Sequence, residues 1–191
     1  MTNEHALNEP AESHGNDAKP KFNIAVAYDS YGAARRALRI FSSLLDAFGD
    51  EFDFQCQLWR FDVLALLDVR QAAVRSSTSA DMLVVSAEAD GEMPAFLKQW
   101  LEDSIEGKAP GTAALVGLLE ARGQTASEMY SPTRRFLQDA AHRAGLDFFL
   151  HEVHFNDTEI ESVNETRRTG AVSFITEDIF HKNESLRRAT A

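Results

Sequence analysis

The chain of 191 residues has a single cysteine, Cys56, so no intramolecular disulfide can form and nothing in it calls for an oxidising compartment. Excess positive charge is missing too. Nineteen Lys and Arg stand against 30 Asp and Glu, a balance of −11 that repels a nucleic-acid backbone and argues against nucleic acid as a direct partner. No apolar run is long enough to span a bilayer, and the opening MTNEHALNEPAESHGNDAKP has no basic region leading into an apolar one. The expectation is a cytoplasmic protein that neither crosses nor binds a membrane. Three common active-site signatures are also absent, the P-loop, the GxGxxG fingerprint and the GxSxG nucleophile elbow.

What is present is an alternation of short apolar runs with helical periods from Phe22 onward, the pattern of βαβ units building a parallel sheet. Residues 1–20 have almost nothing to bury and are expected to be disordered. A single α/β domain is expected over 21–156, with 157–191 a tail expected to add an edge strand, dock on a partner or simply fray. Strands are expected at Phe22–Tyr28, in FDFQCQLWRF, at Met82–Ala87, near Ala113–Leu119 and in DFFLHEVHF.

The helices between them carry their own punctuation. The first places Ala34, Ala37, Leu38, Phe41, Leu44, Leu45 and Phe48 on one stripe and ends at Gly49. Asp62 is expected to cap a second helix, VLALLDVRQAAVRS. The third aligns Met93, Phe96, Leu97, Trp100, Leu101 and Ile105. The last begins with Ser131 as N-cap and Pro132 in its first turn and closes at Gly145. A polar loop of about ten residues precedes that last helix, longer than most connections, and such a loop is where function could sit.

In an open parallel sheet ligands meet the carboxyl ends of the strands. Here those ends supply Asp29, Ser30, Asp62, Ser86, Glu88, Asp90, Glu120, Glu152 and His154. A ring of acids weighs against phosphate and would suit a divalent cation such as Mg²⁺, with Asp29, Glu88 and Glu120 as ligands. The turn DSYG offers the other possibility, a helix N-terminus where Ser30 and Gly32 could meet a flavin or nucleotide phosphate; helix capping by Ser30 is the simpler reading. His151 and His154 fall on opposite faces of an extended strand, which argues against a shared metal. Cys56 on the apolar side of its strand reads as a small buried hydrophobe.

Four stretches, IAVAYDSYGAARRAL, ADMLVVSAEADGEMP, LVGLLEARG and AGLDFFLHEVHF, resemble segments of the receiver domain of bacterial response regulators. The resemblance implies a flavodoxin-like three-layer α/β/α sandwich with five mostly parallel strands in the order 2-1-3-4-5. It breaks at the residues of the family's chemistry. Only Asp29 remains of the acidic pair, Ser86 stands at the phosphoacceptor position, Glu120 at the switching hydroxyl and Glu152 at the lysine. Val26–Leu38 and Ala80–Ser86 also look like the universal stress protein family, but AEADGEMPAF lacks the glycine-rich segment of its ATP-binding forms. The leading expectation is a non-catalytic regulatory module that engages a protein partner without a cofactor. The alternative is a small-ligand-binding protein or enzyme using the acidic edge for Mg²⁺ or the first turn for a flavin or nucleotide. A homodimer through the second strand or the tail is a further possibility.

Overall fold

The computed structural model describes residues 19–89, 91–122 and 131–155. The segments 1–18, 123–130 and 156–191 lie outside the described residues, and with them the expected disordered lead-in, most of the long polar loop and the tail. The elements run β1 (Lys21–Tyr28), α1 (Tyr31–Phe48), β2 (Asp53–Arg60), α2 (Phe61–Leu64), α3 (Leu67–Ser77), β3 (Met82–Glu88), α4 (Ala95–Ile105), β4 (Ala114–Arg122), α5 (Pro132–Ala144) and β5 (Asp147–Phe155). All four strand pairings are parallel and the order is β2-β1-β3-β4-β5, as expected.

The sheet is covered on both faces, unequally. On one face, called the front, Phe22, Ile24 and Val26 of β1, Met82 and Val84 of β3 and Val116 and Leu118 of β4 pack with Ala37, Ile40 and Leu44 of α1. The back carries the larger core, in which Leu83, Val85, Leu115 and Leu119 meet Leu64, Ala73, Leu97, Trp100, Leu101 and Leu137 from the other four helices. Central β3 is buried along Met82–Ala87, which is why it reads as a continuous apolar run, while edge strand β2 alternates half-buried and exposed positions. Each fully buried Leu, Val or Met contributes roughly 1.5–3 kcal/mol relative to exposure. Gly117 lets β4 pass close beneath the back-face helices, since a Cβ there would stand 3.2 Å from Leu137 Cδ1 and 3.0 Å from Leu150 Cδ1.

Two local expectations need correction. The second helix is broken into α2 and α3 at Ala65–Leu66, and Asp62 does not cap it; the N-cap is Arg60, and Asp62 spends its carboxylate on the Arg60 guanidinium, Nε to Oδ1 at 2.6 Å. Gly49 is the C-cap of α1, as expected, in right-handed geometry (φ −63°). The buried stripe of α1 is Ala33, Ala34, Arg36, Ala37, Ile40 and Leu44, rotated from the expected one so that Leu38 and Leu45 face outward, each 41% exposed. Ser131, Pro132 and Gly145 act as expected, with Gly145 left-handed at φ 66°. Among the described residues no helix is long and apolar enough to cross a membrane.

Candidate functional site

The carboxyl edge of the sheet is organised around the β1–α1 turn. Ser30 is extended (φ −140°, ψ 166°); its Oγ accepts from the Ala33 amide at 3.2 Å and its carbonyl from the Ala34 amide at 2.9 Å. The amides of Tyr31 and Gly32 precede the first intrahelical bond and have no acceptor among the described residues. An 18-residue helix thus opens toward the edge with two amides and the Ser30 hydroxyl proton available.

The sheet fixes that helix end from below. Ser86, fully buried at the end of β3, donates its hydroxyl to the Ala33 carbonyl at 2.9 Å. Asp29 reaches across to β3, its Oδ2 accepting from the Glu88 amide at 2.7 Å, while its own amide donates to the Ser86 carbonyl. Oδ1 of Asp29 is buried and finds no donor among the described residues.

Arg36 lies one turn further along α1, on the same side as Gly32. Its Nη1 pairs with Oε2 of Glu120, and the two side chains are only 9% and 14% exposed. Among the described residues Nε and Nη2 of this nearly buried guanidinium have no partner. A Cβ built on Gly32 would lie 3.8 Å from Arg36 Nη1 and 3.9 Å from Ser30 Oγ, so the missing side chain leaves a notch flanked by a hydroxyl and a cation.

The three carboxylates expected to share a cation are therefore committed in different ways. Asp29 is tied to the backbone of β3, Glu120 to Arg36, and exposed Glu88 stands beside Glu120 in the β3–β4 register. Among the described residues no group of three or more His, Cys, Asp or Glu side chains is placed to hold a metal ion. The acidity read from the edge is thus partly neutralised within it.

The other strand ends are built from α5. Ser131 Oγ donates to the Ala89 carbonyl and Thr133 Oγ1 to the Gly91 carbonyl, both at 2.7 Å, so the start of α5 clamps the segment that follows β3. Arg134 pairs with Glu152 of β5 at 3.4 Å. His151 points to the front face beneath α1, where burial, with the charges of Arg36 and Arg39, holds its imidazole below the ordinary range. Burial pushes the Cys56 thiol up to about 11, which makes it a poor nucleophile. A shallow depression of about 580 Å³ beside Glu106 and Lys108 lies at the opposite end of the sheet, away from this edge.

Arg36 and Thr133 were not singled out from the sequence. The signal for Arg36 is its position one residue before Ala37 and four before Ile40, inside the stripe that α1 buries; a charge there needs a partner, and only the fold supplies Glu120.

No family model and no curated protein sequence matches the chain. Solved structures share its fold. The apo form of an NADH:FMN oxidoreductase superposes with a TM-score of 0.54 at 15% identity, over 86% of this chain and 89% of that one. The flavodiiron core of Flv1 from Synechocystis sp. PCC6803 gives 0.53 at 14% identity, over 88% of this chain but 36% of that longer one. Oxidised flavodoxin 2 from Bacillus cereus gives 0.48 at 17% identity, over 84% and 99%. At such identities the likeness is one of fold. With the strand order 2-1-3-4-5 and helices on both faces, the chain has a flavodoxin-like α/β sandwich.

Proposed function

We propose that this chain binds a phosphate-bearing small ligand at the β1–α1 turn, flavin mononucleotide being the best-supported member of that class. The observation that carries the reading is the Gly32 notch, flanked by Ser30 Oγ and Arg36 Nη1 at the opening of α1. Two amides, a hydroxyl and the positive end of a long helix form a donor set that fits a phosphate monoester. Further support comes from two structural neighbours with TM-scores above 0.5, one of them named for FMN and the other a flavodiiron core.

In this reading Tyr31 and Gly32 present amides to the phosphate and Ser30 donates its hydroxyl while keeping its role as cap. Arg36 lends positive charge from beneath the turn, moderated by Glu120. Asp29 is turned toward β3, where the Glu88 amide holds its Oδ2. A bound flavin would supply reversible electron transfer. Calorimetric titration with FMN and with riboflavin tests the assignment: FMN binds at micromolar concentration and riboflavin roughly tenfold or more weaker, the difference being the phosphate. Equal affinity, or none for either, contradicts it.

One observation favours a second reading, a receiver-like module that engages a protein partner. Ser86 is fully buried and its hydroxyl is spent on Ala33, so the end of β3 offers no phosphoacceptor. On that reading neither FMN nor a small phosphodonor changes the protein, and partner capture from lysate is unaffected by both.

A further inference from the structure

We infer that two copies of this chain join edge to edge through β2, the strands running antiparallel about a twofold axis at Cys56, so that the two sheets become one. Edge strand β2 pairs with β1 alone among the described strands. An exposed edge is normally blunted against such pairing by a lysine, a proline, a bulge or an inward charge. None of these interrupts β2. Its register with β1 runs unbroken from Lys21–Asp53 to Tyr28–Arg60, and FQCQLW, between its two charged ends, carries neither charge nor proline.

Exposed apolar side chains border that edge. Arg36 pairs with Glu120 of β4, which fixes the side of α1 that faces β4 and β5. Leu38 is about 200° further round the helix and so lies on the β2 side, where Phe41 meets Phe54 edge on, 6.5 Å between ring centres. Tyr31 and Leu45, seven residues to either side of Leu38, continue the stripe; Tyr31, Leu38 and Leu45 are 79%, 41% and 41% exposed. On β2 itself Leu58 shares the front with Phe54 and Cys56 and is 38% exposed. Four of the six large apolar side chains exposed among the described residues thus line one edge, an apolar margin of the kind that marks an interface.

A second copy is the occupant that this edge fits. In an antiparallel pair, opposite residues share a face, so the axis must pass through a residue and not between two. An axis at Cys56 sets Phe54 against the partner's Leu58 on the front and Gln55 against the partner's Gln57 on the back, an apolar pair and an amide pair, each made twice. Charge follows the same symmetry. Arg35, Arg39 and Arg60 lie toward the carboxyl end of this edge and outnumber Asp62, which pairs with Arg60. Asp46, Asp50, Glu51 and Asp53 lie toward its amino end and outnumber Lys19 and Lys21. Along α1 that order is the reverse of what the helix dipole favours, and an antiparallel partner compensates it by laying each acidic end beside a basic one.

Sedimentation velocity of the full chain over a wide concentration range tests the inference with two double variants. The wild type should sediment as a dimer that dissociates on dilution. Gln55 and Gln57 are exposed, so charging them spares the fold. Gln55→Lys with Gln57→Lys sets like charges opposite each other across the axis and should weaken association roughly tenfold or more; Gln55→Glu with Gln57→Lys sets opposite charges there and should restore it. Melting temperatures of the variants, read at concentrations where all are monomeric, confirm that the fold is intact. No ligand is added, so the result stands apart from the FMN titration. A wild type that is monomeric throughout would overturn the inference. So would association that both variants weaken equally, or that neither changes, since the axis then lies elsewhere.

Discussion

At the residue scale the buried pair Arg36–Glu120 decides how the edge behaves. Two charges that are nearly buried stabilise each other less than they cost if separated. Arg36→Met alone should destabilise the fold by about 3 kcal/mol in urea unfolding, and Arg36→Met with Glu120→Leu should recover most of that loss. His151 gives a pH signature. Its folded pKa lies below the ordinary 6.5, so the stability tied to its neutral form is complete above that pH and is lost as pH falls through the depressed folded value. Melting temperatures of His151→Gln should therefore fall less between pH 7 and acidic pH than those of the wild type. Cys56, pushed up to about 11, should resist alkylation at pH 8 in the folded chain and react readily in urea.

Elements explain which parts of this fold were legible in the sequence. Ser131, Pro132 and Gly145 bracket α5 because capping and the left-handed C′ position are local chemistry, readable without knowing what the helix packs against. Gly145→Ala should cost on the order of 1–2 kcal/mol, from the left-handed backbone and from a Cβ placed 2.9 Å from Pro110 Cβ; chemical denaturation measures it. The face of α1 was less legible. Leucines at 38 and 45 suggested one stripe, but contact with β1 and β3 selects the small residues Ala33 and Ala37 with Ile40 and Leu44, and that rotation is what buries Arg36. The break between α2 and α3 was likewise hidden, since Leu66 and Leu67 continue an apolar run yet are 60% and 57% exposed.

On the scale of the whole molecule, topology was the most legible property: alternating strand and helix patterns led to a parallel sheet, and the order 2-1-3-4-5 followed the resemblance among its segments. The site was legible only in part, because sequence shows which acids reach the carboxyl edge and not what each one touches. Once Asp29 is held by the β3 backbone and Glu120 by Arg36, a net charge of −11 no longer describes the local field at the opening of α1. Gly32→Ala is the sharpest probe of that opening. The added Cβ meets its neighbours at ordinary contact distance, and alanine is favoured over glycine in a helix by roughly 0.5–1 kcal/mol, so the fold should be unharmed or slightly stabilised while the notch is filled. The decisive measurement is a titration of FMN, followed by quenching of its fluorescence, with the wild type and with Gly32→Ala side by side. A saturable signal in the wild type that weakens roughly tenfold or more in a variant with an equal or higher melting temperature is the predicted result. No saturable signal in the wild type, or equal binding by both proteins, would contradict a ligand site at the β1–α1 turn.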